Sequence, residues 1–587
     1  MPKINVLPLS LRNKIAAGEV VERPSSVVKE LIENSIDAGS TRITVETSHA
    51  GKRLIRVSDN GIGMEREDVL LAFERYATSK ISDERDLFHI TTMGFRGEAL
   101  SSIASVAKVR LTTAPRKNNE TVLASGTCIE LIGGEVKEIK DCPVLGTSIE
   151  VKDLFFNTPA RRKFLKSDTT ENYHIIDTVT RAALAHFPIG FILHMDGSEV
   201  LHLPAAFALR ERLLQVYGKE FIDGLLETES ESGQARVKAF FSTPVNLRNN
   251  KNNQFLFING RPVKDQSVAY AVYKAFEGML PKEKHPIFFI FLELDPSRVD
   301  FNVHPAKREV RFENKSSVFE LVYQAVSKTL KHGVTEPWRN EKKKDGAGDN
   351  AGVMEYWRTE KRTEEVPHYS NASESPLLHC SETSSPFVGP FAESVPFLYL
   401  GDTLVAVSDM KGVTVIDYHA AHERINYERF LKKTGIPSYP LLFPQQVKLP
   451  QGEYRVVLDH LAMLNDFGLE VDDFGHGTLL VRSLPEPLRD ADAAALMSDV
   501  AAALLERDRG MGKEGDAHLE PLEVTRKKIA ARLACHSSIR GKEVPDGARI
   551  AALMKSLDAA DNPHTCPHGR PTRVVVSLEE LRRMFRK

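Results

Sequence analysis

A carboxylate and a carboxamide stand one helical turn apart near the start of the chain, and together they could supply a general base and a ligand for Mg²⁺. The spacing of apolar residues predicts a helix over Ser26–Ala38. Glu30, Asn34 and Asp37 lie at i, i+4 and i+7 in this helix, so they share one face. The same pattern is also found on ordinary solvated helix faces.

A second set of groups follows the strand-like run Leu54–Ser58, which ends at Asp59. A carboxylate at the end of a strand can accept a hydrogen bond from an exocyclic amine such as that of adenine. Gly61 and Gly63 lack a Cβ atom, so their backbone could approach a ligand closely. The simpler interpretation is that these residues only form a turn.

Gly94 and Gly97 directly precede a predicted helix that begins near Glu98. Free backbone N–H groups at the start of a helix, together with the helix dipole, can bind a phosphate. The alternative is an ordinary flexible loop. The nearest match to a Walker A loop, at residues 510–514, lacks both its spacing and its Ser or Thr.

A possible metal site lies toward the C-terminal end. His419 and Glu423 are one turn apart on a helix predicted from about Tyr418 to Lys433. Asp417 stands at the junction between this helix and the preceding strand. Side chains one turn apart on a helix can bind one metal ion, although a solvent-exposed polar face gives the same pattern.

Two cysteines have histidine neighbours, in the pairs Cys535–His536 and Cys566-x-His568. We expect the second pair to follow a strand. Thiolate and imidazole groups are ligands that suit Zn²⁺. The remaining cysteines have no such neighbours and are interpreted as structural or incidental: Cys128, Cys142 and Cys380.

The elements that must position these groups belong to a chain of 587 residues, which is long enough for about three or four domains. The formal net charge is -2, so nucleic-acid contacts would depend on local basic patches. The first residues lack the pattern of a signal peptide, and no apolar run is long enough to cross a membrane. The odd number of scattered cysteines argues against a disulfide framework, so we expect a cytoplasmic protein.

Changes in pattern along the chain predict its organisation. The runs Gln254–Ile258, Gln266–Phe276 and Pro286–Leu294 predict a strand, a helix and a buried strand, which form a β-α-β unit. From about Gly333 to Ser394 the sequence is polar and without period, so it is predicted to be a disordered linker. Two strand-like runs follow, at residues 397–409 and 412–417.

In this order, the N-terminal motifs resemble those of the GHKL ATPase superfamily, which includes gyrase and the histidine kinases. The resemblance implies a Bergerat-type α/β sandwich that binds ATP with Mg²⁺. It implies that Glu30 activates water, that Asn34 binds Mg²⁺ and that Asp59 recognises adenine. It assigns the rest of the nucleotide pocket and its lid to Gly61, Gly63, Thr78, Ser79, Lys80, Gly94, Phe95, Arg96, Gly97, Glu98, Ala99, Leu100 and Thr147.

Within that superfamily the chain is most similar to the MutL family of mismatch-repair proteins. The match runs through NKIAAGEVVERPSSVVKELIENSIDAG, RYATSKI, TMGFRGEALSSI, LFFNTPARRKFL, FINGRPV and VDFNVHPAKREVRF, nearly the whole of residues 1–313. The resemblance implies that Lys307 reaches the γ-phosphate from the second domain. It also implies an ATP-switched homodimer that encloses DNA without reading its sequence and works with the mismatch-recognition protein MutS.

The resemblance also implies a multidomain architecture of the α+β and α/β classes. A GHKL ATPase domain is expected at residues 1–204 and an S5-like β-α-β transducer domain at 205–332. A disordered linker at 333–394 would lead to an α+β dimerisation and endonuclease domain at 395–587. Candidate DNA contacts, each of which we interpret preferentially as a solvated or pocket-supporting residue, are Arg161, Arg162, Lys163, Arg261 and Lys264.

The C-terminal segments resemble the endonuclease motifs of MutL proteins that nick DNA. The first family motif reads D-Q-H-A-x-x-E-x-x-x-x-E, and here Tyr418 replaces its glutamine. The resemblance implies that Asp417 and Glu423 act in catalysis. It implies that Zn²⁺, Mn²⁺ or both are bound by Asp417, His419, Glu423, Cys535, Cys566 and His568.

The segment Gln445–Pro450 resembles the peptide by which such nucleases dock on the replication sliding clamp, although a plain loop-to-strand segment is the alternative. The function implied is ATP-dependent coupling of mismatch recognition to repair, with DNA nicking, in the cytoplasm at the nucleoid. One alternative is a nuclease-inactive matchmaker. Another is a different GHKL enzyme, such as a topoisomerase subunit, which residues 396–587 do not resemble.

Overall fold

The fold is described from a computed structural model of the chain. The described residues are 20–81, 83, 92–94, 97–115, 124–144, 146–233, 235–281, 284–301, 310–333, 397–409, 412–432, 436–506, 521–538 and 546–585. The predicted linker at 333–394 therefore lies outside the described residues except for Gly333. The predicted site residues Phe95, Arg96 and Lys307 also lie outside them.

An eight-stranded sheet forms the centre of the N-terminal part. Its strands are β1 (Arg42–Ser48), β2 (Leu54–Asp59), β3 (Lys108–Thr113), β4 (Ala124–Ile132), β5 (Glu135–Val144), β6 (Thr147–Lys152), β7 (Gly190–Met195) and β8 (Ser198–Leu203). They lie in the order β5-β4-β3-β6-β2-β1-β7-β8. The pair β1 and β7 is parallel and the other pairs are antiparallel.

Helices pack on this sheet, and their apolar side chains form the core with it. They are α1 (Pro24–Asp37), α2 (Arg66–Leu71), α3 (Ala99–Val106), α4 (Pro159–Lys163) and α5 (Asp168–Ala185). The apolar stripe of α1 is buried, because it faces β2 and α5, and it consists of Val27, Val28, Leu31 and Ile32. Gly39 follows the helix with φ +70, the left-handed conformation that commonly ends helices. The predicted helix over Ser26–Ala38 is thus confirmed to within two residues.

A five-stranded sheet follows in the chain. Its strands are β9 (Leu225–Ser232), β10 (Ala235–Ser242), β12 (Gln254–Ile258), β13 (Arg261–Val263) and β15 (Phe288–Glu293). Two short pairs stand beside it: β11 (Leu247–Arg248) with β14 (His285–Pro286), and β16 (Val299–Asp300) with β17 (Arg311–Phe312). Its helices are α6 (Leu209–Tyr217), α7 (Lys219–Asp223), α8 (Gln266–Ala275) and α9 (Lys315–Gly333), with a 3-10 turn at Pro296–Arg298. Strands β12 and β15 are parallel and α8 lies between them in the chain, so the predicted β-α-β unit is confirmed.

The C-terminal part contains two further sheets. One consists of β18 (Phe397–Gly401), β19 (Leu404–Asp409), β20 (Gly412–Asp417) and β24 (Arg573–Ser577), and the other of β21 (Ser438–Lys448), β22 (Glu470–Gly475) and β23 (Thr478–Pro485). The helices are α10 (Tyr418–Leu431), α11 (Gln451–Leu458), α12 (Leu461–Asp466), α13 (Ala493–Glu506), α14 (Pro521–Ser537), α15 (Gly547–Asp558) and α16 (Leu578–Phe585), with a 3-10 turn at Glu486–Leu488. Strand β20 runs directly into α10, as predicted for the Asp417 junction.

One prediction about these strands was wrong. The run at residues 397–409 forms two antiparallel strands rather than one, because the chain reverses at Asp402, which has φ +51. A polar residue that tolerates this conformation next to Gly401 is a turn signal. Among the described residues, no helix is both long and apolar enough to span a membrane.

Candidate functional site

The predicted nucleotide residues surround one cavity of about 970 Å³ in the N-terminal part. Helix α1, the end of β2, the segment after α2 and the start of α3 form its walls. The predicted residues that line it are Glu30, Asn34, Asp59, Gly63, Thr78, Ser79, Lys80, Gly94, Gly97, Glu98, Ala99, Leu100 and Thr147. The motifs that the sequence analysis considered separately therefore come together in space.

Asp59 is fixed at the end of β2 inside this cavity. Its Oδ2 accepts a hydrogen bond from Ser35 Oγ at 2.8 Å, and its Oδ1 accepts one from the backbone N–H of Gly61 at 2.9 Å. Burial raises the pKa of Asp59, and these two hydrogen bonds oppose the rise. Ser35, on the face of α1 next to Asn34, is a supporting residue that the sequence did not indicate.

The glycines of the second motif stand where a side chain would not fit. A Cβ atom on Gly63, which has φ +71, would lie 1.9 Å from the carbonyl oxygen of Ala114. A Cβ atom on Gly61 would lie 2.7 Å from the carbonyl oxygen of Ala38. These residues are glycine because neighbouring backbone occupies the space. This packing alone accounts for glycine at both positions, without a bound ligand.

Lys80 and Asp37 together connect three segments of the cavity wall. Its Nζ donates to Asn34 Oδ1 at 2.9 Å and to Asp37 Oδ2 at 2.5 Å. Asp37 also accepts hydrogen bonds from the backbone N–H groups of Met93, at 2.7 Å, and Gly94, at 3.0 Å. Asp37 therefore joins α1 to the segment before α3. The sequence predicted that Asp37 shares a helix face with Glu30 and Asn34, but it did not predict this contact.

Glu30 lies on the same wall, and Lys29 holds its carboxylate. Lys29 Nζ is 3.1 Å from Glu30 Oε1 and 3.0 Å from Glu33 Oε1. Glu30 lines the cavity, whereas Glu33 does not. A carboxylate at this position beside Asn34 can accept a proton from a water molecule in the cavity.

Two further predicted residues shape the pocket, Thr147 from its wall and Arg261 from outside it. Thr147 at the start of β6 is buried, and its hydroxyl is 2.8 Å from that of Thr113. Arg261 is only 6% exposed, and its guanidinium donates to the carbonyl oxygen of Thr92 and lies 4.8 Å from the ring centroid of Phe301. Burial excludes Arg261 as a DNA contact in this conformation and agrees with the pocket-supporting alternative.

The candidate metal residues lie in the C-terminal part, around the start of α10. Asp417 caps this helix, because its Oδ1 accepts the backbone N–H groups of His419 and Ala420, both at 3.1 Å. His419 Nε2 is 3.5 Å from Glu423 Oε1, as the spacing of one turn predicted. The helix thus presents an imidazole and a carboxylate side by side.

Three predicted ligands converge: Glu423, Cys566 and His568 offer donor atoms that all lie within 4.8 Å of one another. The Cys566–His568 segment is a turn that precedes β24, so the expectation that it follows a strand was wrong. Antiparallel pairing of β20 with β24 brings this turn to α10. The backbone N–H of Asp417 donates to Thr572 O at 3.0 Å, and this hydrogen bond holds the turn next to the start of α10.

The electrostatics of this cluster are those of a partly buried ion pair. The thiol of Cys566 and the carboxylate of Glu423 raise the pKa of His568 to about 9. Burial opposes ionisation of Glu423, but the neighbouring imidazole of His568 lowers its pKa overall. Glu423 Oε2, 3.4 Å from His568 Nδ1, is buried and makes no hydrogen bond of good geometry with the described residues.

The other predicted ligands are near this cluster but not in it. Cys535 lies on α14, and burial together with the charge of Glu423 raises the pKa of its thiol to about 11. Asp417 is engaged as the helix cap. Tyr418, which replaces the family glutamine, is fully buried under the sheet, and its hydroxyl donates to Asp402 O at 3.0 Å. Its ring therefore belongs to the apolar core that includes Val405 and Ile416.

These donors fit a metal ion on their own chemistry. A thiol, an imidazole and a carboxylate are the usual ligands of Zn²⁺, and carboxylate oxygens also suit Mn²⁺. A buried carboxylate oxygen without a hydrogen bond would gain a partner by binding a cation. Glu423, Cys566 and His568 could therefore hold one ion, with His419 beside them.

The segment Gln445–Pro450 lies at the end of β21 and in the residues after it. Val447 and Leu449, the apolar residues of the proposed clamp peptide, are buried in the C-terminal core. The exposed apolar residues come just before it: Leu442 is 89% and Phe443 is 79% exposed. Pairing of β21 with β23 is interrupted between Pro440 and Gln445, which releases this stretch from the sheet.

Three family models and two known proteins are similar to this chain. Residues 22–138 match the "Histidine kinase-, DNA gyrase B-, and HSP90-like ATPase" family, residues 213–331 the "DNA mismatch repair protein, C-terminal domain" and residues 398–544 the "MutL C terminal dimerisation domain". The chain is 40% identical over 585 residues to the DNA mismatch repair protein MutL of Thermodesulfovibrio yellowstonii, with 100% of both chains covered. It is 37% identical over 621 residues to MutL of Anaeromyxobacter sp. (strain K), with 99% of both covered.

The chain belongs to the MutL family of DNA mismatch-repair proteins. It carries the GHKL-type ATPase domain and the C-terminal dimerisation domain of that family. The solved ATPase domain of Aquifex aeolicus MutL in complex with ADP is similar at 30% identity and a TM-score of 0.37, over 52% of this chain and 98% of that one. As a MutL-family chain, it is not a topoisomerase subunit or a histidine kinase.

Proposed function

We propose that this MutL-family chain uses ATP to switch a homodimer on DNA and nicks DNA at a metal centre in its C-terminal part. In the ATP cycle, Glu30 is the base that accepts a proton from water, and Asn34 is a ligand of Mg²⁺. Asp59 accepts the hydrogen bond of the adenine amine. The support for these roles is that all three line one cavity with Lys80, whose ammonium already makes a cationic contact with Asn34.

Lys80 is expected to move when Mg·ATP binds. A divalent ion bound to Asn34 Oδ1 would replace the ammonium there and would be repelled by it at short range. Lys80 would then be free to reach a phosphate while keeping Asp37 as a neighbour. The predicted lid residues Phe95 and Arg96, and Lys307, would complete the pocket.

The convergence of Glu423, Cys566 and His568 carries the nuclease proposal. A bound Zn²⁺ or Mn²⁺ would supply a water of lowered pKa and positive charge near an attacked phosphodiester. In this chain Glu423, Cys566, His568 and His419 would hold the ion. Asp417 and Cys535 are proposed as further ligands, and Tyr418 does not stand in the way because it is held in the core.

An exposed apolar face is proposed as the surface on which two chains dimerise. The outer face of the sheet of β18, β19, β20 and β24 carries Leu398, Leu400, Leu404 and Val574, which are 61%, 49%, 38% and 53% exposed. The inner face of the same sheet packs on α10 and α15. Both faces of this sheet are apolar, but helices cover only the inner face. A second copy of the same sheet would cover the outer face.

Contacts with DNA, MutS and the sliding clamp are also proposals. Arg162, Lys163 and Lys264 are exposed and can neutralise phosphates without reading bases. The clamp peptide at Gln445–Pro450 would have to leave its strand to expose Val447 and Leu449. Leu442 and Phe443, already exposed, are therefore the better anchors for the clamp.

The competing function is that of a nuclease-inactive matchmaker, in which the C-terminal part only dimerises. Glu423→Gln separates the two, because it removes the charge that would hold the ion and keeps the shape of the side chain. We expect Mn²⁺-dependent nicking of supercoiled plasmid to fall at least about tenfold, with ATP hydrolysis unchanged.

Glu486→Gln is the matched control, because Glu486 lies outside the nuclease motif. Glu486 Oε2 pairs with Arg429 Nη2 of α10 at 3.1 Å in an exposed position, so its loss should leave metal binding and nicking unchanged. Asp417→Asn adds a second arm, because Asn caps a helix as well as Asp does but carries no charge. Equal nicking by wild type and Glu423→Gln would leave the matchmaker function standing.

A further inference from the structure

Helix α11 of the C-terminal part packs against α5 of the ATPase part, and Gly452 of α11 lies against α5. A Cβ atom on Gly452 would lie 2.9 and 3.1 Å from ring atoms Cδ2 and Cε2 of Tyr173, and 3.7 Å from Cγ2 of Ile176. All the nearest atoms thus belong to α5. Glycine weakens a helix, so the contact with α5, rather than α11 itself, explains a glycine at this position.

Polar groups continue this surface along the loop between β11 and β12. Asn250 Nδ2 donates to Asp499 Oδ1 at 2.9 Å, and Asn249 donates to the same carboxylate. Asn252 Nδ2 is 3.4 Å from Glu453 Oε1. Asp499 and Glu453 are buried, and a buried carboxylate is costly unless it is hydrogen-bonded. The asparagines supply those hydrogen bonds from the other part of the molecule.

An exposed contact completes the surface at its edge. Thr169 Oγ1, at the start of α5, donates to Asp459 Oδ2 at 2.9 Å. Between the edge and the polar loop, Tyr173 of α5 packs against the C-terminal apolar core. The surface therefore has an apolar middle, paired polar groups and a hydrogen-bonded rim, which is the composition of specific interfaces.

We propose that the ATPase part and the C-terminal part of one chain dock through this surface in solution, in a defined conformation that we call the docked state. In it, α5 and the loop at residues 249–252 cover α11, α13 and α14. The occupant of the C-terminal surface is the ATPase part of the same chain. The observations that identify it are the fit of Tyr173 over Gly452 and the asparagine partners of Asp499 and Glu453.

The docked state reaches toward the candidate metal centre. His536 Nε2, on α14, is 2.7 Å from Asp499 Oδ2 and 3.2 Å from Asn249 Nδ2. The next residue on that helix is Cys535, and α14 packs on α10, which carries Glu423. Docking therefore places Asn249 beside the segment of α14 that carries Cys535. Its consequence for nicking rests on the proposed nuclease function, whereas docking itself does not.

Gly452→Leu tests docking directly in the full-length chain. Thr169→Cys with Asp459→Cys places two exposed thiols at the rim, where a short bismaleimide should join them, as peptide mapping would detect. We expect Gly452→Leu to reduce this crosslink about tenfold or more, because its side chain overlaps Tyr173. Ala494→Leu, an exposed position on α13, is the matched control and should leave the crosslink unchanged.

A compensating change separates lost docking from lost folding. Tyr173→Ala removes the ring that the introduced leucine side chain would meet, so adding it to Gly452→Leu should restore the crosslink. Equal crosslinking by Gly452→Leu and Ala494→Leu, or no recovery with Tyr173→Ala, would overturn the proposal. A crosslink found between two chains, seen as a product of doubled mass, would also overturn it and would assign the surface to a second copy.

The two proposals fail in different ways. If the chain nicks DNA, Gly452→Leu should reduce Mn²⁺-dependent nicking about tenfold while ATP hydrolysis stays the same. If no variant and no wild-type sample nicks DNA, the nuclease proposal fails and the crosslink still decides whether the docked state exists.

Discussion

The nucleotide pocket and the candidate metal centre are assembled in different ways. In the pocket, the groups of each sequence motif come from one short segment: Glu30 and Asn34 share α1, and Asp59 and Gly61 share the end of β2. In the metal centre, Glu423 and the pair Cys566–His568 come from segments that meet only because β20 pairs with β24. The geometry of the first is largely local, and that of the second is tertiary.

The two regions also differ in how their charges are balanced. Lysine side chains neutralise the pocket carboxylates, with Lys80 on Asp37 and Lys29 on Glu30. The buried carboxylate of Glu423 lies beside the imidazoles of His419 and His568 and the thiol of Cys566. An exchangeable lysine suits a site that binds and releases a nucleotide, whereas convergent soft ligands suit an ion that stays bound.

The largest expected effect follows from the local geometry of the pocket. Glu30→Gln should lower ATP hydrolysis by roughly 10²–10⁴-fold, because it removes the general base, while ATP binding persists. Zinc or manganese content should not change, because the metal centre takes no residue from α1. Single-turnover assays would measure ATP hydrolysis, and nucleotide-binding assays would measure ATP binding. Metal analysis would measure the zinc and manganese content.

Glu33→Gln is the control for that experiment. Glu33 contacts the same Lys29 but does not line the cavity, so its loss should leave hydrolysis within about threefold of wild type. If Glu30→Gln hydrolyses ATP at the wild-type rate, or if Glu33→Gln is equally damaged, the base has been assigned to the wrong carboxylate.

Spacing along the chain predicted the pocket well because helices and strand ends fix the relative positions of nearby residues. The face of α1, the strand end at Asp59 and the glycines around it could all be inferred that way. The partners that complete it could not be inferred: Ser35 on Asp59 and Thr92 on Arg261 depend on packing between segments.

The metal centre shows what spacing along the chain could not predict. The ligand types were predictable, but spacing could not distinguish Cys566, which reaches Glu423, from Cys535, which stays outside the cluster. It also could not place Tyr418, whose ring lies in the core because the first residue of α10 faces the sheet. The split of residues 397–409 into two strands was missed because a two-residue turn interrupts the apolar pattern only briefly.

A smaller effect is expected from the dimer surface, and it tests whether the two regions depend on each other. Val574→Asp puts a charge on the outer face of the sheet, and we expect the dimer dissociation constant to rise about 100-fold. ATP hydrolysis should become dependent on protein concentration, because the ATPase parts meet through the dimer. Metal content should stay the same. Sedimentation equilibrium and ATPase titrations would measure these effects.

Val575→Asp is the neighbouring control. Val575 is 63% exposed but points to the other face of the same strand, so its substitution should leave the dimer intact. Dissociation caused by Val575→Asp and not by Val574→Asp would place the second copy on the opposite side of the sheet. A loss of bound metal in Val574→Asp would show that the metal centre is shared across the dimer.

The smallest expected effect concerns the contact between the two regions. Burial raises the pKa of Glu453 to about 7, against the hydrogen bonds of Asn252 and Ser498 and the charge of Arg248, while Asp499 adds to the rise. An exposed glutamate has a pKa of about 4.3, so the docked state binds a proton that the open state releases. Docking is therefore strongest at low pH and weakens as pH rises through about 7, by at most about tenfold per pH unit.

The sedimentation coefficient of the full-length chain should accordingly fall between about pH 5 and pH 7.5, as the docked state opens. Glu453→Gln keeps the hydrogen-bonding shape but cannot titrate, so its sedimentation should not change over that range. If Glu453→Gln keeps the wild-type pH dependence, the buried carboxylate does not control docking. If neither protein responds to pH, Glu453 has the same surroundings in both states, and its partners across the surface contribute contact but no proton linkage.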